Sequence, residues 1–427
     1  MTGVGCGLSR GVERTDNGPR RCYGTLRPIG TLPLSLAPCT HGDLMRRVSL
    51  LLSSATLLLS GSFSLGCGGD AGNSGPASDA GVTVDVPPTP VAPEIGTGDH
   101  TAASVTLTTM VEGLRQPTGI AFNPERPTQF WVTNWATDAF TIVDTAGEMP
   151  AEPLTIRDRS FHFLVYPTSL AFGGDGTVGT CQESANDYRG RAMPNNFMGP
   201  VVHTTDLNQL RSSRGPSGTH LDMLHHTPWC MGIASTAPRE FWVFNGAEGA
   251  IDKYHFNEWH APGADDHSDG MTWRFAAGEL SRVEHVPSHI AFDRAGGFLY
   301  IADSGNHRIV RLNTAVDPTI DMRRITTRIS ETPLYAATDT HVEEVVGAAG
   351  ELDTPSGIAL HNGFIYVSDW ATGRISAFRM TNGERVNYLE TGLTRGALAG
   401  IAFGPDNKLY FVDASTPEAS RVVRIDP

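Results

Sequence analysis

One phrase recurs along the chain and limits what it can fold into. It reads Pro117-Thr-Gly-Ile-Ala-Phe122, Pro167-Thr-Ser-Leu-Ala-Phe172, Met231-Gly-Ile-Ala234, Pro287-Ser-His-Ile-Ala-Phe292, Pro355-Ser-Gly-Ile-Ala-Leu360 and Ala399-Gly-Ile-Ala-Phe403. A second apolar run follows most copies: "FWVTNW" (130–135), "FWVFNG" (241–246), "FLYIADSGN" (298–306), "FIYVSDW" (364–370) and "KLYFVDA" (408–414). A third follows in most: "FTIVD", "IDKYHF", "RIVRLN", "RISAFR" and "RVVRID". Short alternating apolar runs separated by Gly, Asp and Asn are strands joined by turns. Several strands per unit, repeated every few tens of residues, predict a β-propeller. The recurring phrase suits the innermost strand of a blade. Its Gly and Ala fit a narrow central channel, and its Pro costs no ladder bond on a sheet edge. With 47 Gly, 28 Pro and only 18% charged residues, composition also favours strands and turns over long helices.

The stretch Leu299-Tyr-Ile-Ala-Asp303-Ser-Gly-Asn306-His-Arg308-Ile-Val-Arg311-Leu resembles the NHL repeat, through its Asp-x-x-Asn-x-Arg-Ile turn. "SDWATGRISAF" (368–378) is a near variant, "VTNWATDAFTIVD" and "VDASTPEASRVVRI" are looser, and "GTVGTCQESANDYRG" departs most. The resemblance covers residues 104–427 and implies an all-β, six-bladed β-propeller. The last blade ends after a third strand, Arg421 to Asp426, whereas "SVTLTTMVEGL" (104–114) reads as a strand with no blade of its own. Residues 104–114 are therefore expected to pair with 421–426 and close the ring, removing an open edge.

The N-terminal part reads as an address. Met45-Arg46-Arg47 precedes the apolar run Val48 to Leu59, too short to span a bilayer, and small residues lead to Cys67. Ser64-Leu65-Gly66-Cys67 resembles the lipobox of bacterial lipoproteins, although Ser64 stands where that family usually has Leu. The resemblance implies a signal peptide over 45–66, a lipid anchor on Cys67, and a protein held in the bacterial cell envelope, facing the periplasm or on the outer membrane. Residues 1–44, rich in Arg, Gly and Pro, do not fit in front of such a signal; translation is expected to start at Met45. Residues 67–103, small and Pro- and Asp-rich at the start, read as a flexible tether.

The full chain carries a formal charge of −14; residues 1–66 hold seven Arg and three acids, so the remainder carries −18. Its only lysines are Lys253 and Lys408. Such a chain repels phosphate backbones, which argues against nucleic acid as a partner. Nothing in the sequence calls for more than a monomer. Of six cysteines, Cys6, Cys22 and Cys39 precede the expected start and Cys67 is the lipid site, which leaves Cys181 and Cys230. In an oxidising compartment they are expected to form a disulfide.

Two stretches are rich in groups that bind metals. "GTHLDMLHHTPWCMGIA" (218–234) holds His220, Asp222, His225 and His226. His220 and His225 are five apart with no Glu between, which excludes the zinc-protease helix; an Asp222–histidine pair is either a ligand-orienting contact or a structural one. "WHAPGADDHSDG" (259–270) contains Asp265, His267 and Asp269 at positions one, three and five of a calcium loop, but position twelve is Ala276, which excludes an EF-hand. A looser calcium turn or a plain solvated turn remains. His289 stands where the other phrases have Gly119, Ser169, Gly232, Gly357 and Gly400, near the channel mouth. His225, His226 and His289, from adjacent blades, are expected to converge there as a Zn²⁺ or other divalent-metal set. That set resembles the propeller of the peptidylglycine amidating lyases, which bind metal with histidines from several blades; no catalytic Tyr or Arg of that family finds a match. Trp135, Trp229, Trp242 and Trp370 lie near strand ends, where they either line a binding face or pack in the core. Asp303, Asp369 and Asp413 recur at equivalent turns and read as caps.

Two functions fit. One is a surface-anchored propeller that binds a protein, peptide or glycan across its channel face. The other is a metal-dependent lyase or hydrolase with a histidine site at the channel mouth, favoured by the long insertions at roughly 176–228 and 246–286.

Overall fold

The computed structural model describes residues 91–146, 152–185, 198–211, 215–264, 266–327, 332–347, 349, 351–416 and 420–427. The extension 1–44, the signal segment 45–66 and the anchor Cys67 lie outside the described residues.

Six antiparallel blades form the fold, each beginning with one copy of the recurring phrase. Blade 1 comprises Pro117–Asn123, Arg126–Asn134, Ala139–Asp144 and Leu154–Arg157. Blade 2 comprises Pro167–Gly174, Thr177–Gln182, Val201–Thr204 and His220–Met223. Blade 3 begins Cys230–Ala237, Glu240–Asn245, Ala250–His255 and Met271–Phe275. Blade 4 comprises Ile290–Asp293, Phe298–Asp303, Arg308–Asn313 and Glu343–Val346. Blade 5 comprises Pro355–His361, Phe364–Asp369, Arg374–Arg379 and Arg385–Glu390. Blade 6 comprises Leu398–Phe403, Leu409–Asp413, Ser420–Asp426 and, from the other end of the domain, Thr106–Leu114. That last strand pairs antiparallel with Ser420–Asp426, from Thr106 opposite Asp426 to Leu114 opposite Ser420, which is the closure expected from sequence.

Each second strand is buried on both faces because it sits between two neighbouring blades. Side chains alternate sides along a strand, so Phe130 and Val132 enter the core shared with blade 6 while Trp131 enters the core shared with blade 2. Phe241 and Val243 likewise face blade 2, and Trp242 and Phe244 face blade 4. Trp242 is thus a core residue and does not line a face. The innermost strands nearly touch. A side chain at Gly232 would come within 2.0 Å of the Ser288 carbonyl, and one at Gly400 within 2.8 Å of Gly119 Cα, so only glycine permits the approach.

The disulfide between Cys181 and Cys230 is present and ties the second strand of blade 2 to the first strand of blade 3. The recurrent aspartates cap turns as expected. Asp303 accepts hydrogen bonds from Asn306 Nδ2 (2.8 Å), Arg308 Nε (2.9 Å) and the Ser281 amide (2.8 Å), which fixes the turn to the loop leading into its own blade.

Two features depart from the sequence reading. The tether was expected to run to residue 103, but residues 91–103 are docked on blade 5. Ile95 and Ala92 are buried there, Asn387 Nδ2 donates to the carbonyls of Ala92 (2.9 Å) and Gly96 (2.7 Å), and His100 stacks on Tyr388. Ile95 supplies the apolar surface that the Pro- and Asp-rich segment before it lacks. The blade 3 sheet has six strands: Leu334–Thr338 and Thr319–Asp321, from an insertion in blade 4, add to its outer edge. The join is a parallel pairing of Thr272–Arg274 with Leu334–Ala336.

Candidate functional site

The blades give the ring two faces. The upper face is where the innermost strands begin; the lower is where they end. Each innermost strand is paired on one side only, so its free edge of N–H and C=O groups lines the channel.

His289 closes that channel near its upper end. Its ring leaves blade 4, its Nε2 lies 3.0 Å from the Thr168 carbonyl of blade 2, and its Cε1 lies against Gly400 of blade 6. Three alternate blades thus meet on one imidazole. Burial pushes its pKa down to about 4, so the ring is neutral at pH 7. Below it lies a cavity of ≈ 400 Å³ that opens on the lower face, lined by Phe122, Phe172, Phe292, Phe403 and Leu360, with Arg294 at the rim.

His225 and His226 do not converge on His289. They follow the outermost strand of blade 2, and His226 Nε2 lies 3.1 Å from the Thr332 carbonyl, on the blade 4 insertion. The His225 carbonyl accepts from Tyr254 Oη at 3.1 Å. Both rings are buried and held neutral, His225 with its pKa down to about 3 and His226 to about 4, chiefly by desolvation. Among the described residues, no group of three clustered metal ligands includes His225, His226 or His289. Their spacing on neighbouring repeats gave no measure of radius: His289 is at the axis, whereas His225 and His226 lie toward the rim.

Both ring nitrogens of His220 face backbone carbonyls. Its Nδ1 lies 2.9 Å from the Ser217 carbonyl, its Nε2 lies 3.0 Å from the Ala264 carbonyl, and its ring stacks on Phe163. The histidine that pairs with the fully buried Asp222 is His267, from the second stretch, whose Nδ1 lies 3.0 Å from Asp222 Oδ1. Asp265 lies outside the described residues. Asp269 turns toward His260, whose Nε2 is 3.2 Å from its Oδ1. The two metal-like stretches of the sequence therefore meet each other across the boundary between blades 2 and 3.

The upper face carries an aromatic and charged cluster. Trp135 stacks on Tyr166 with ring centroids 4.5 Å apart, and His285 meets Trp135 edge-on at 5.3 Å. Buried Glu183 lies beneath, accepting from Trp135 Nε1 (3.3 Å), Arg282 Nη1 (3.0 Å) and the His285 amide (2.8 Å). The Arg282 guanidinium covers Trp229 at 4.4 Å. The backbone is strained at these places: Gln116, Tyr166 and Trp229, each just before an innermost strand, have φ of 53°, 48° and 53°, and His285 has 63°. Left-handed backbone in bulky residues costs roughly 1–3 kcal/mol each and concentrates at binding sites.

The adjoining loop is wound around Asp158, whose buried carboxylate accepts the amides of Ser160, His162, Phe163 and Leu164 at 2.8–3.1 Å. Burial works against its charge, but these bonds and the Ser160 hydroxyl prevail and hold its pKa below the ordinary value. The loop so fixed displays Phe161, 69% exposed, and Tyr166, 43% exposed. Of this cluster the sequence reading singled out only Trp135 and Trp229. The position before each innermost strand, occupied by Gln116, Tyr166 and Trp229, was the overlooked signal, since a turn there calls for Gly or Asn.

Residues 285–312 match the NHL repeat family model, and they contain both His289 and the Asp303–Arg308 turn. The chain is a propeller carrying an NHL repeat. Comparison with the curated proteins found no match. Among solved structures, this propeller is similar to a luciferin-regenerating enzyme, at 12% identity, covering 76% of this chain and 95% of that one, with a TM-score of 0.49. It is also similar to an auxiliary nutrient binding protein from Bacteroides thetaiotaomicron (12% identity, 75% of this chain, 76% of that one, TM-score 0.48). A chain of a nidogen–laminin complex is similar at 17% identity over 67% of this chain and 84% of that one, with a TM-score of 0.44.

Proposed function

We propose that this NHL propeller is a binding protein of the bacterial cell envelope, anchored through Cys67, whose upper face takes a protein, peptide or glycan ligand. The observation that carries the reading is the display of Phe161 and Tyr166 on a loop locked by Asp158, beside Trp135 and Trp229, with Phe161, Tyr166 and Trp229 in left-handed backbone. Aromatic rings fixed before a ligand arrives contribute contact area at little entropic cost. Glu183 beneath them holds Trp135, Arg282 and His285 in place, and the Arg282 guanidinium, still partly exposed, supplies a cation for polar groups of a peptide or sugar. A metal-dependent enzyme at the channel mouth has less support, because His289 Nε2 lies on the Thr168 carbonyl and no partner ligands join it among the described residues.

Panels of immobilised peptides and glycans, probed with the purified protein, test the reading. Tyr166→Ala and Trp135→Ala each should weaken a captured ligand by roughly tenfold, about 1.4 kcal/mol, while Arg294→Ala on the lower face should not. Loss of binding on Arg294→Ala with Tyr166→Ala unaffected would move the site to the axial cavity and refute the upper-face reading. Envelope anchoring has its own check: a Cys67→Ser protein should leave the membrane fraction.

A further inference from the structure

The lateral wall between blades 2 and 3 holds a group of ligands unrelated to the upper face. The loop following Ala250–His255 folds back over the outer edge of blade 2, its His260 amide donating to the Leu221 carbonyl (3.3 Å) and its Gly263 amide to the His220 carbonyl (2.8 Å). This brings His260, His267 and Asp269 against Asp222. The ligand atoms of Asp222, His260 and Asp269 all lie within 4.8 Å of one another.

Each carboxylate has one oxygen held and one presented. Asp222 Oδ1 accepts from the Met223 amide (2.7 Å) and meets His267 Nδ1 (3.0 Å), while its buried Oδ2 has no hydrogen-bond partner among the described residues and faces His260 Nε2 at 3.6 Å. Asp269 Oδ2 accepts from the Glu258 amide (3.1 Å), and its Oδ1 faces the same His260 nitrogen at 3.2 Å. A buried carboxylate oxygen left without a donor is costly, and among the described residues no Lys or Arg pairs with Asp222 or Asp269.

We propose that Asp222, His260 and Asp269 bind a divalent transition metal of the Zn²⁺ class, with His267 as an outer support. Tetrahedral ligands at ~2.0–2.1 Å from zinc lie roughly 3.3 Å from one another, and the separations of 3.2 and 3.6 Å from His260 Nε2 match that edge. The imidazole selects against Ca²⁺ and Mg²⁺, which take oxygen ligands. His267 on the far oxygen of Asp222 is the usual support for a ligating carboxylate. His260 and Asp269 remain partly open to solvent, which gives the ion a way in and leaves a fourth position for water.

Titration calorimetry of the untagged protein with Zn²⁺ and with Ca²⁺, backed by elemental analysis, tests this. One Zn²⁺ per chain is expected, with no Ca²⁺ heat. His260→Ala and Asp269→Asn, which change partly exposed residues, should abolish it. His267→Ala should weaken it by about 10–100-fold, and His307→Ala, on the blade 4 turn, should not affect it. Asp222→Asn, close to isosteric, should also abolish it; if that variant fails to fold, the His260 and Asp269 variants decide. A metal content below about one tenth per chain after metal-replete purification, zinc retained in both His260→Ala and Asp269→Asn, or equal binding of Ca²⁺ each overturns the proposal. The upper-face ligand test is unaffected by any of these outcomes.

Discussion

At the scale of residues, buried histidines tie stability to pH. Desolvation lowers the pKa of His203 and His225 to about 3 and of His226 and His289 to about 4. The unfolded chain binds a proton on each near the ordinary 6.5, and the folded chain does not. Stability is therefore fully present above about pH 6.5 and is lost as pH falls toward 4, at ~1.4 kcal/mol per pH unit for each group that differs. The urea midpoint should fall steeply between pH 7 and pH 5. His289→Gln, which retains a donor for Thr168, should make that fall shallower; an unchanged slope would show that the His289 ring is not held neutral. The Asp252–Arg274 pair carries a different kind of stability. Arg274 Nε and Nη2 donate to Asp252 at 2.8 and 3.0 Å, and Asn245 and Thr227 complete the buried carboxylate. Asp252→Ala leaves the buried Arg274 cation with only the half-exposed Glu248, at 3.4 Å, and should cost about 3 kcal/mol in a denaturation curve. Asp321→Ala, at the exposed pair with Arg323, should leave that curve where it is.

At the scale of elements, the chain uses three devices to hold neighbouring blades together. The first is the Cys181–Cys230 disulfide, which closes a loop of about 50 residues and is worth roughly 2–4 kcal/mol. Cys181→Ser/Cys230→Ser protein, or wild type under reductant, should lose that much in chemical denaturation with its fold retained. The second is the exchange of strands in which blade 4 lends Thr319–Asp321 and Leu334–Thr338 to blade 3. The third is the docking of Ala92 and Ile95 into the core that blades 5 and 6 share, with Glu94 bonded to Tyr366 and Asn362 of blade 5. The disulfide was legible because only two cysteines remained once the N-terminal ones were set aside. The strand exchange was not, because residues 314–342 carry no copy of the repeat and a two-strand addition depends on which sheet edge is within reach.

At the scale of the whole molecule, ring closure decides whether the domain is stable. Thr106–Leu114 covers the outer edge of Ser420–Asp426, so the first and last parts of the domain fold as one blade. Deletion through Leu114 should open the ring and expose that edge to other chains. Light scattering should then detect soluble aggregates, and a variant that stays monomeric with an unchanged melting curve would show that closure is dispensable. The ring also sets where each site lies. His289 spans the axis, Trp135 and Tyr166 stand on the upper face, and Asp222 lies buried under a loop between blades 2 and 3.

The repeated phrase, the alternation of apolar residues and the leftover strand determined by themselves the all-β class, the six blades and the closure. These are local or periodic properties, and a period of two or of one blade survives in one dimension. Only the tertiary structure decided which histidines meet. Residues at equivalent repeat positions differ in radius and face, so His225, His226 and His289 look alike in sequence and lie apart in space. Asp222 and His260 look unrelated in sequence and are brought within 3.6 Å by a loop that folds over the edge of the neighbouring blade.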